Sequence, residues 1–530
     1  MQDSYKLSVS NFGPITEAEV ELRPLTVFVG PSNTGKSYLA TLIYALHQCF
    51  GSITVEPSGL SPQRFRHWSM DYPYIEKFRR DTAAWQGLRD WVTDISETLD
   101  TSGKDLHGGA STNAVREEPP HPLPPELASH LDPVLKSASL FNHLFESELR
   151  RCFGASAVDV LIRQGNATGK GGEAAINVTC PKQASMDTGA RFHLYLREGR
   201  SKIKGRMEVA SPVSLALDHD LGLPRWVVES VERLVNERDV SDGQIKRVLE
   251  YLTALLFQSW FRPVNRIAYY LPADRTGIMH SHQVVVSTLV QNSATAGRWT
   301  STDRRKSPVL SGVLADFLGQ LIEMSNIGTG HHPGSLKKSA TSIENAILKG
   351  TVRLQEAETG YPVFTYRPRR WKTDLPLLRV SSMVAELAPV VLYLRYMVQP
   401  GDVLVIEEPE AHLHPAMQAE FTRQLALLVR AGVKLIVTTH SEWILEELAN
   451  IVRRSEIPAS NRKEIPRQEF ALKAEQVGVW LFEPQRRPQG SVVKEISLDT
   501  SGLYPTRFDE VALTLHNDWA DISSMVGNNA

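Results

Sequence analysis

The sequence predicts an α/β fold on a mostly parallel sheet, with an antiparallel hairpin at its start and a large, mainly helical insertion. Three observations carry this. An apolar, β-branched run, Leu25–Val29, passes through a glycine-containing loop into an apolar helix, Tyr38–Leu46. From Leu375 onward the pattern alternates strand and helix, which makes parallel strands covered by helices. Between these segments helical periods dominate, with no internal repeat and no long heptad array.

The elements follow in order. Leu7–Phe12 and Ala18–Leu22 alternate apolar and polar residues, and Gly13-Pro14 supplies the turn of a hairpin. After the first helix, Trp68, Trp85 and Trp91 sit among short helical patterns, and a Pro/Gly/Ser/His-rich flexible loop is expected near 103–125. Glu126–Phe153 reads as an amphipathic helix on Leu127, Leu131, Leu135, Leu140 and Leu144. Val158–Ile162 and Phe192–Leu196 read as strands, and Val227–Phe261 as helical. Arg266–Leu271 reads as a strand, Leu310–Met324 as a helix, and Thr351–Gln355 with Val363–Tyr366 as a hairpin. The expected domains are 1–50, a first lobe; 51–262, the insertion; and 263–530, a second lobe.

Composition sets bounds. The 530 residues are 42% hydrophobic and 22% charged, as in globular proteins. A formal charge of −2 means that any nucleic-acid contact must come from local patches. Cys49, Cys152 and Cys180 are too scattered for a disulfide framework or a zinc site, which points to a reducing compartment. The start lacks a signal-peptide core and no apolar run approaches membrane-spanning length, so a cytoplasmic protein without membrane contact is expected.

The loop after Val29 is Gly30-Pro31-Ser32-Asn33-Thr34-Gly35-Lys36-Ser37, which fits G-x-x-x-x-G-K-[ST]. Strand, loop and helix N-terminus in this order make an anion cradle, because backbone N–H groups and the helix dipole converge on phosphate oxygens. Lys36 would reach the β- and γ-phosphates, and Ser37 would hold Mg²⁺ through its hydroxyl. The expected ligand is a nucleoside triphosphate, ATP.

Val403–Ile406 is an apolar run that ends in Glu407-Glu408-Pro409-Glu410. An acid at such a strand end can assist Mg²⁺, and its neighbour can orient or deprotonate water. The alternative is a solvated turn after a core strand. Lys434–Thr439 is a second apolar strand, followed by His440, either a plain surface residue or a γ-phosphate sensor.

Glu407-Glu408-Pro409-Glu410-Ala411-His412-Leu413-His414-Pro415, with Thr439-His440-Ser441 and the opening Asn11-Phe12-Gly13-Pro14-Ile15, resembles ABC-type ATPase heads of the SMC and RecF group. Within that group the sequence most resembles the overcoming-lysogenization-defect (OLD) branch, and the likeness covers about residues 5–50, 265–290 and 350–515. It implies Lys36 on phosphate, Ser37 and Glu407 on Mg²⁺, Glu408 as catalytic base, Leu413-His414 as D-loop and His440 as switch histidine. It also implies a site completed by a second copy, through the signature candidates Ser381 and Ser382. Met383 stands where the family usually has glycine, and Glu407 where aspartate is more usual. The Q-loop glutamine is not assigned between Gln48 and Gln63. Asp274-Arg275 resembles a recurring Pro-Ala-x-Arg segment. Arg275 could lie near phosphate or a head interface, or be a solvated arginine after an N-cap.

OLD nucleases carry a C-terminal TOPRIM domain. The tail here reads as a helix, strands at Val477–Phe482 and Val492–Ile496, and a helix from Phe508, with no Asp-x-Asp pair, so no nuclease domain is expected. Clusters at Lys202–Arg206, Arg304–Lys306 and Arg367–Lys372 are either solvated loops or phosphate-backbone contacts, Trp371 adding an aromatic face to the third. The resemblance implies an ATP hydrolase acting as a conformational switch or scaffold through a head-to-head homo-oligomer. A role in anti-phage defence with a separately encoded effector, such as a nuclease, is the expectation. A DNA repair or recombination ATPase that binds DNA directly is the alternative.

Overall fold

The computed structural model describes residues 4–51, 81–104, 121–137, 139–163, 172–181, 190–197, 203–209, 214–215, 241–280, 310–327, 336–356, 362–458, 467–486 and 489–496, with a few single positions. The chain forms two compact units, Met1–Glu21 with Thr41–Ala268, and Leu22–Ala40 with Tyr269–Ala530.

In the first unit the opening strand Tyr5–Phe12 pairs antiparallel with Glu173–Thr179, which pairs with Arg191–Arg197, then Lys204–Glu208. The period-two burial of these strands turns Ile176, Val178, Phe192 and Leu194 inward. Phe192 meets Phe50, Phe145 and Phe261 at centroid distances of 5.5, 4.7 and 6.1 Å. This aromatic core ties the sheet to the end of the helix Lys36–Gly51 and to the helices Ser139–Phe153 and Asp242–Trp260.

Some expectations change here. Val158–Leu161 is a single 3-10 turn and not a strand. The stretch 126–153 forms two helices, Pro125–Ser137 and Ser139–Phe153. Gly103 lies in the helix Thr82–Lys104, and His121–Pro122 pairs with Ser214–Leu215, so both ends of the expected loop are regular; 105–120 lies outside the described residues. Gln63, Trp68, Lys202, Arg304–Lys306 and the helix from Phe508 also lie outside them.

In the second unit the strands run Gln489–Ile496, Val477–Arg486, Leu25–Val29, Lys434–Thr439, Val403–Glu407 and Ala268–Leu271. Leu25–Val29 lies parallel to both neighbours, with Val27 level with Val437 on one side and Val479 on the other. Lys434–Thr439 is parallel to Val403–Glu407, and Glu407 is level with Thr438. Strands buried on both faces read as unbroken apolar runs, which is why Val403–Ile406 and Leu435–Val437 lack alternation. The helices Ser382–Tyr396, Pro415–Arg430 and Glu442–Glu456 supply Val384, Leu387, Phe421, Leu425, Leu445 and Leu448 to one core with these strands. Parallel register brings the C-terminal ends of the three inner strands to one edge. Val29, Glu407 and Thr439 therefore lead into their loops side by side.

Candidate nucleotide site

Gly30 leaves the strand with φ +143° in close contact with Val477–Arg486; a Cβ there would sit 2.6 Å from the Phe482 carbonyl oxygen. Asn33 and Gly35 also have positive φ, 63° and 100°, so the chain curls instead of extending. Thr34 closes the curl by donating its hydroxyl to Pro31 O at 2.8 Å. Pro31, Ser32, Asn33 and Ser37 are exposed, while Lys36 is 6% exposed and folds back over the loop. Its Nζ donates to Gly30 O at 2.9 Å and Pro31 O at 2.8 Å. Burial lowers the Lys36 ammonium to about 8, against the opposing fields of Glu408, Glu410 and Glu407. One cation thus sits within the field of all three carboxylates.

Those carboxylates are placed differently. Glu407 ends its strand buried; Oε2 accepts the Ala273 N–H at 3.2 Å, while Oε1 is buried with no hydrogen-bond partner. An orphaned carboxylate oxygen in a low-dielectric pocket is costly, and it is the kind of ligand a hard divalent cation takes. Among the described residues no cluster of three or more His, Cys, Asp or Glu could hold a metal alone. The donor set, one acid and the Ser37 hydroxyl beside a phosphate-type loop, fits Mg²⁺ that shares its ligands with substrate phosphates.

Glu408 turns out of the strand with φ +42°, a strained conformation for a residue with a side chain. Its N–H donates to Thr438 O at 2.9 Å, and its carboxylate is about two-fifths exposed. His440 Nε2 lies 3.6 Å from Glu408 Oε1, an electrostatic contact too long for a hydrogen bond. Burial and then Lys36 push the imidazole below its usual range, against Glu408. Glu410, unassigned from sequence, accepts the Thr439 hydroxyl at 2.8 Å and the His440 N–H at 2.6 Å on one oxygen. Burial pushes its carboxyl up from the ordinary value. Its signal was in plain sight, as the third acid in the Glu407–Glu410 run.

The geometry corrects the expectation for Arg275. It is neither solvated nor directed at a phosphate site, but fully buried behind the acidic pair. Nη1 donates to Glu407 O at 2.6 Å and Pro272 O at 2.9 Å, and Nη2 to Glu408 O at 3.3 Å. Its ion-pair partner is Glu386, which also accepts the Thr276 hydroxyl. The sequence signal for that pair was a lone acid in the otherwise apolar run Val384–Leu394. Beside it opens a cleft of about 400 Å³ lined by Ala273, Asp274, Thr276–Ile278, Glu386 and His412.

Leu413 is buried, and His414 caps the helix Pro415–Arg430 by accepting Ala416 N–H at 3.3 Å. Gln418 links that turn to the histidine loop, donating to Leu413 O at 2.8 Å and accepting the Ser441 hydroxyl at 2.5 Å. Ser381 and Ser382 are both exposed at the start of their helix, and the Ser381 side chain makes no cap bond. Met383 turns inward against the core, leaving the serines as the outward groups. Gln48 lies in the first unit, its amide donating to Ala268 O at 3.0 Å.

Residues 302–445 match the family described as AAA ATPase domain. The matched stretch ends short of neither Glu407 nor His440 but excludes the glycine loop, which the sheet brings alongside it. No curated protein matches the chain. Among solved structures it is similar to an SMC head bound to the C-winged helix domain of ScpA, at 11% identity over 94% of this chain and 98% of that one, TM-score 0.38. It is similar to an SMC head with an extended coiled coil bound to the C-terminal domain of ScpA, derived from Pyrococcus furiosus, at 10% identity over 97% and 98%, TM-score 0.38. The SMC head domain from Thermotoga maritima follows at 11% identity over 93% and 98%, TM-score 0.33. The fold assignment rests on the strand order itself. No described helix is long and apolar enough to cross a membrane.

Proposed function

We propose that the second unit binds ATP with Mg²⁺ at Gly30–Ser37 and hydrolyses it to ADP and phosphate. The observation that carries this is the unpartnered, buried Glu407 Oε1 at the strand end beside the loop that holds Lys36. Ser37 and Glu407 would hold Mg²⁺, which supplies positive charge against the phosphates. The Lys36 ammonium adds a second cation, the loop amides orient the phosphate chain, and Glu408 accepts the proton of the attacking water. His440, kept neutral, can donate one N–H toward the terminal phosphate while facing Glu408.

Exposed Ser381 and Ser382 support a site completed by a second copy, with ATP joining two heads and turnover parting them. The sequence likeness to OLD-type ATPases supports a cytoplasmic switch or scaffold in anti-phage defence, acting on a separately encoded effector. Steady-state ATP turnover of the wild type and Glu408→Gln, with and without duplex DNA, tests this. Turnover that is lost in Glu408→Gln and indifferent to DNA is expected; a wild type with no turnover would sink the reading.

A second reading, direct DNA binding for repair or recombination, is favoured by one surface. Trp371 is 56% exposed beside exposed Arg369, Arg370 and Lys372, while Arg367 is taken up by Asp374 at 2.5 Å. Exposed cations around an aromatic suit a phosphate backbone and an unstacked base. DNA-stimulated turnover that vanishes in Arg369→Glu/Arg370→Glu would move the assignment there.

A further inference from the structure

Arg275 is held by four hydrogen bonds and one ion pair. A guanidinium carries five N–H groups in a planar fork. Here Nε donates to Glu386 O at 3.2 Å, Nη1 to Pro272 O and Glu407 O, and Nη2 to Glu408 O, while the guanidinium forms an ion pair with the Glu386 carboxylate. A charge so deeply buried persists only when fully paired. The pairing joins three segments: the turn at Pro272, the backbone of the acidic pair, and the helix Ser382–Tyr396. Glu386 lies four residues after Ser382, on the same face and one turn below it. Glu408, at φ +42°, is held on both sides, its N–H by Thr438 and its carbonyl by Arg275.

We propose that Arg275 is a positioning residue that couples the amino-terminal turn of the helix Ser382–Tyr396 to the backbone of Glu407 and Glu408. Displacement of exposed Ser381 and Ser382 moves Glu386, the rigid fork carries the movement to the two carbonyls, and the Glu408 side chain is placed or withdrawn. The coupling rests on the ATPase reading for its purpose but not for its existence. Lysine cannot replace the fork, because an ammonium has three donors and no plane.

Three variants of the full chain test this: Arg275→Lys, Glu386→Gln, and the mild Thr276→Val, which leaves both charges in place. Two readouts are taken on each, ATP turnover and amide hydrogen exchange of peptides spanning 403–413 and 25–40. For Arg275→Lys and Glu386→Gln, kcat should fall about tenfold or more with KM for ATP within about twofold, because small misplacement of a catalytic group is costly. Exchange at 403–413 should quicken in both, and in Thr276→Val to a lesser degree, while 25–40 stays unchanged. Quickening at 403–413 caused by Glu386→Gln, a change on another element, is the signature of coupling. Folded variants with wild-type kcat and wild-type exchange at 403–413 overturn the proposal. If the two charge variants fail to fold, Thr276→Val decides by the same criteria. A wild type without turnover removes the ATPase reading, and exchange alone then decides the coupling.

Discussion

Glu410 and His440 are joined across neighbouring strand ends by a 2.6 Å hydrogen bond from the His440 backbone N–H to Glu410 Oε1. The same oxygen takes the Thr439 hydroxyl at 2.8 Å, and Thr439 Oγ1 in turn accepts the Ser441 N–H at 2.9 Å. The third acid of the run is thus a clamp that fixes where the histidine loop leaves its strand. Glu410→Ala should leave those donors without their acceptor, destabilise the fold by about 1–3 kcal/mol and lower turnover. Glu410→Gln, which keeps one acceptor oxygen, should retain most of both. Equal loss in the two variants, by denaturant unfolding and ATPase rate, would refute the clamp.

Lys36 gives a pH signature. With its ammonium lowered to about 8, the free protein begins to lose that proton as pH rises through 8. Phosphate favours the charged form, so binding above this point takes up a proton and affinity falls with rising pH. ATP dissociation constants at pH 7 to 9.5, with calorimetry in two buffers of different ionisation enthalpy, should show weakening and proton uptake at the alkaline end. The stability contribution has the opposite sign. A lysine whose folded value lies below its unfolded one disfavours folding while charged, and that penalty is relieved between about 8 and the unfolded value near 10.5.

Glu407→Gln separates stability from function. The amide oxygen can keep the Ala273 N–H bond while the buried carboxylate oxygen without a hydrogen-bond partner is removed. Thermal unfolding without nucleotide should be unchanged or raised, by up to about 1 kcal/mol, while the Mg²⁺-dependent part of ATP affinity disappears. Intact Mg²⁺ dependence would show that the cation is held elsewhere.

Gly30→Ala combines two penalties, a left-handed backbone and a Cβ 2.6 Å from the Phe482 carbonyl oxygen. Loss of about 2 kcal/mol or more is expected, with ATP binding lost alongside. Denaturant melts and nucleotide binding on one preparation check both.

The regular elements near the site were legible because their patterns have one reading. Leu25–Val29, Val403–Glu407 and Lys434–Thr439 are short apolar runs bounded by turn residues, and the parallel sheet follows from the helices between them. The glycine loop, the acidic pair and His440 were found by type and spacing, and the sheet sets them at one edge. Arg275 was misplaced for a physical reason. A polar dipeptide after a strand looks solvated unless its partners are known, and they lie 111 and 132 residues away in sequence. The stretch 126–153 was read as one helix because leucine spacing continues across the break between Ser137 and Ser139. Val158–Leu161 misled because a short apolar run suits a turn buried at two points as well as a strand.

The strand Leu25–Val29 is synthesised well before either of the strands that flank it, Lys434–Thr439 and Val477–Arg486. Neither edge of it can be paired as in the finished protein until some four hundred residues have followed. Loop closure over such separations is slow and entropically costly. During translation the glycine loop therefore stays unassembled, with a bare apolar strand ahead of it, until Lys434–Thr439 and Val477–Arg486 have emerged. A nascent chain that stops short of these two strands thus lacks the framework of the proposed nucleotide cradle.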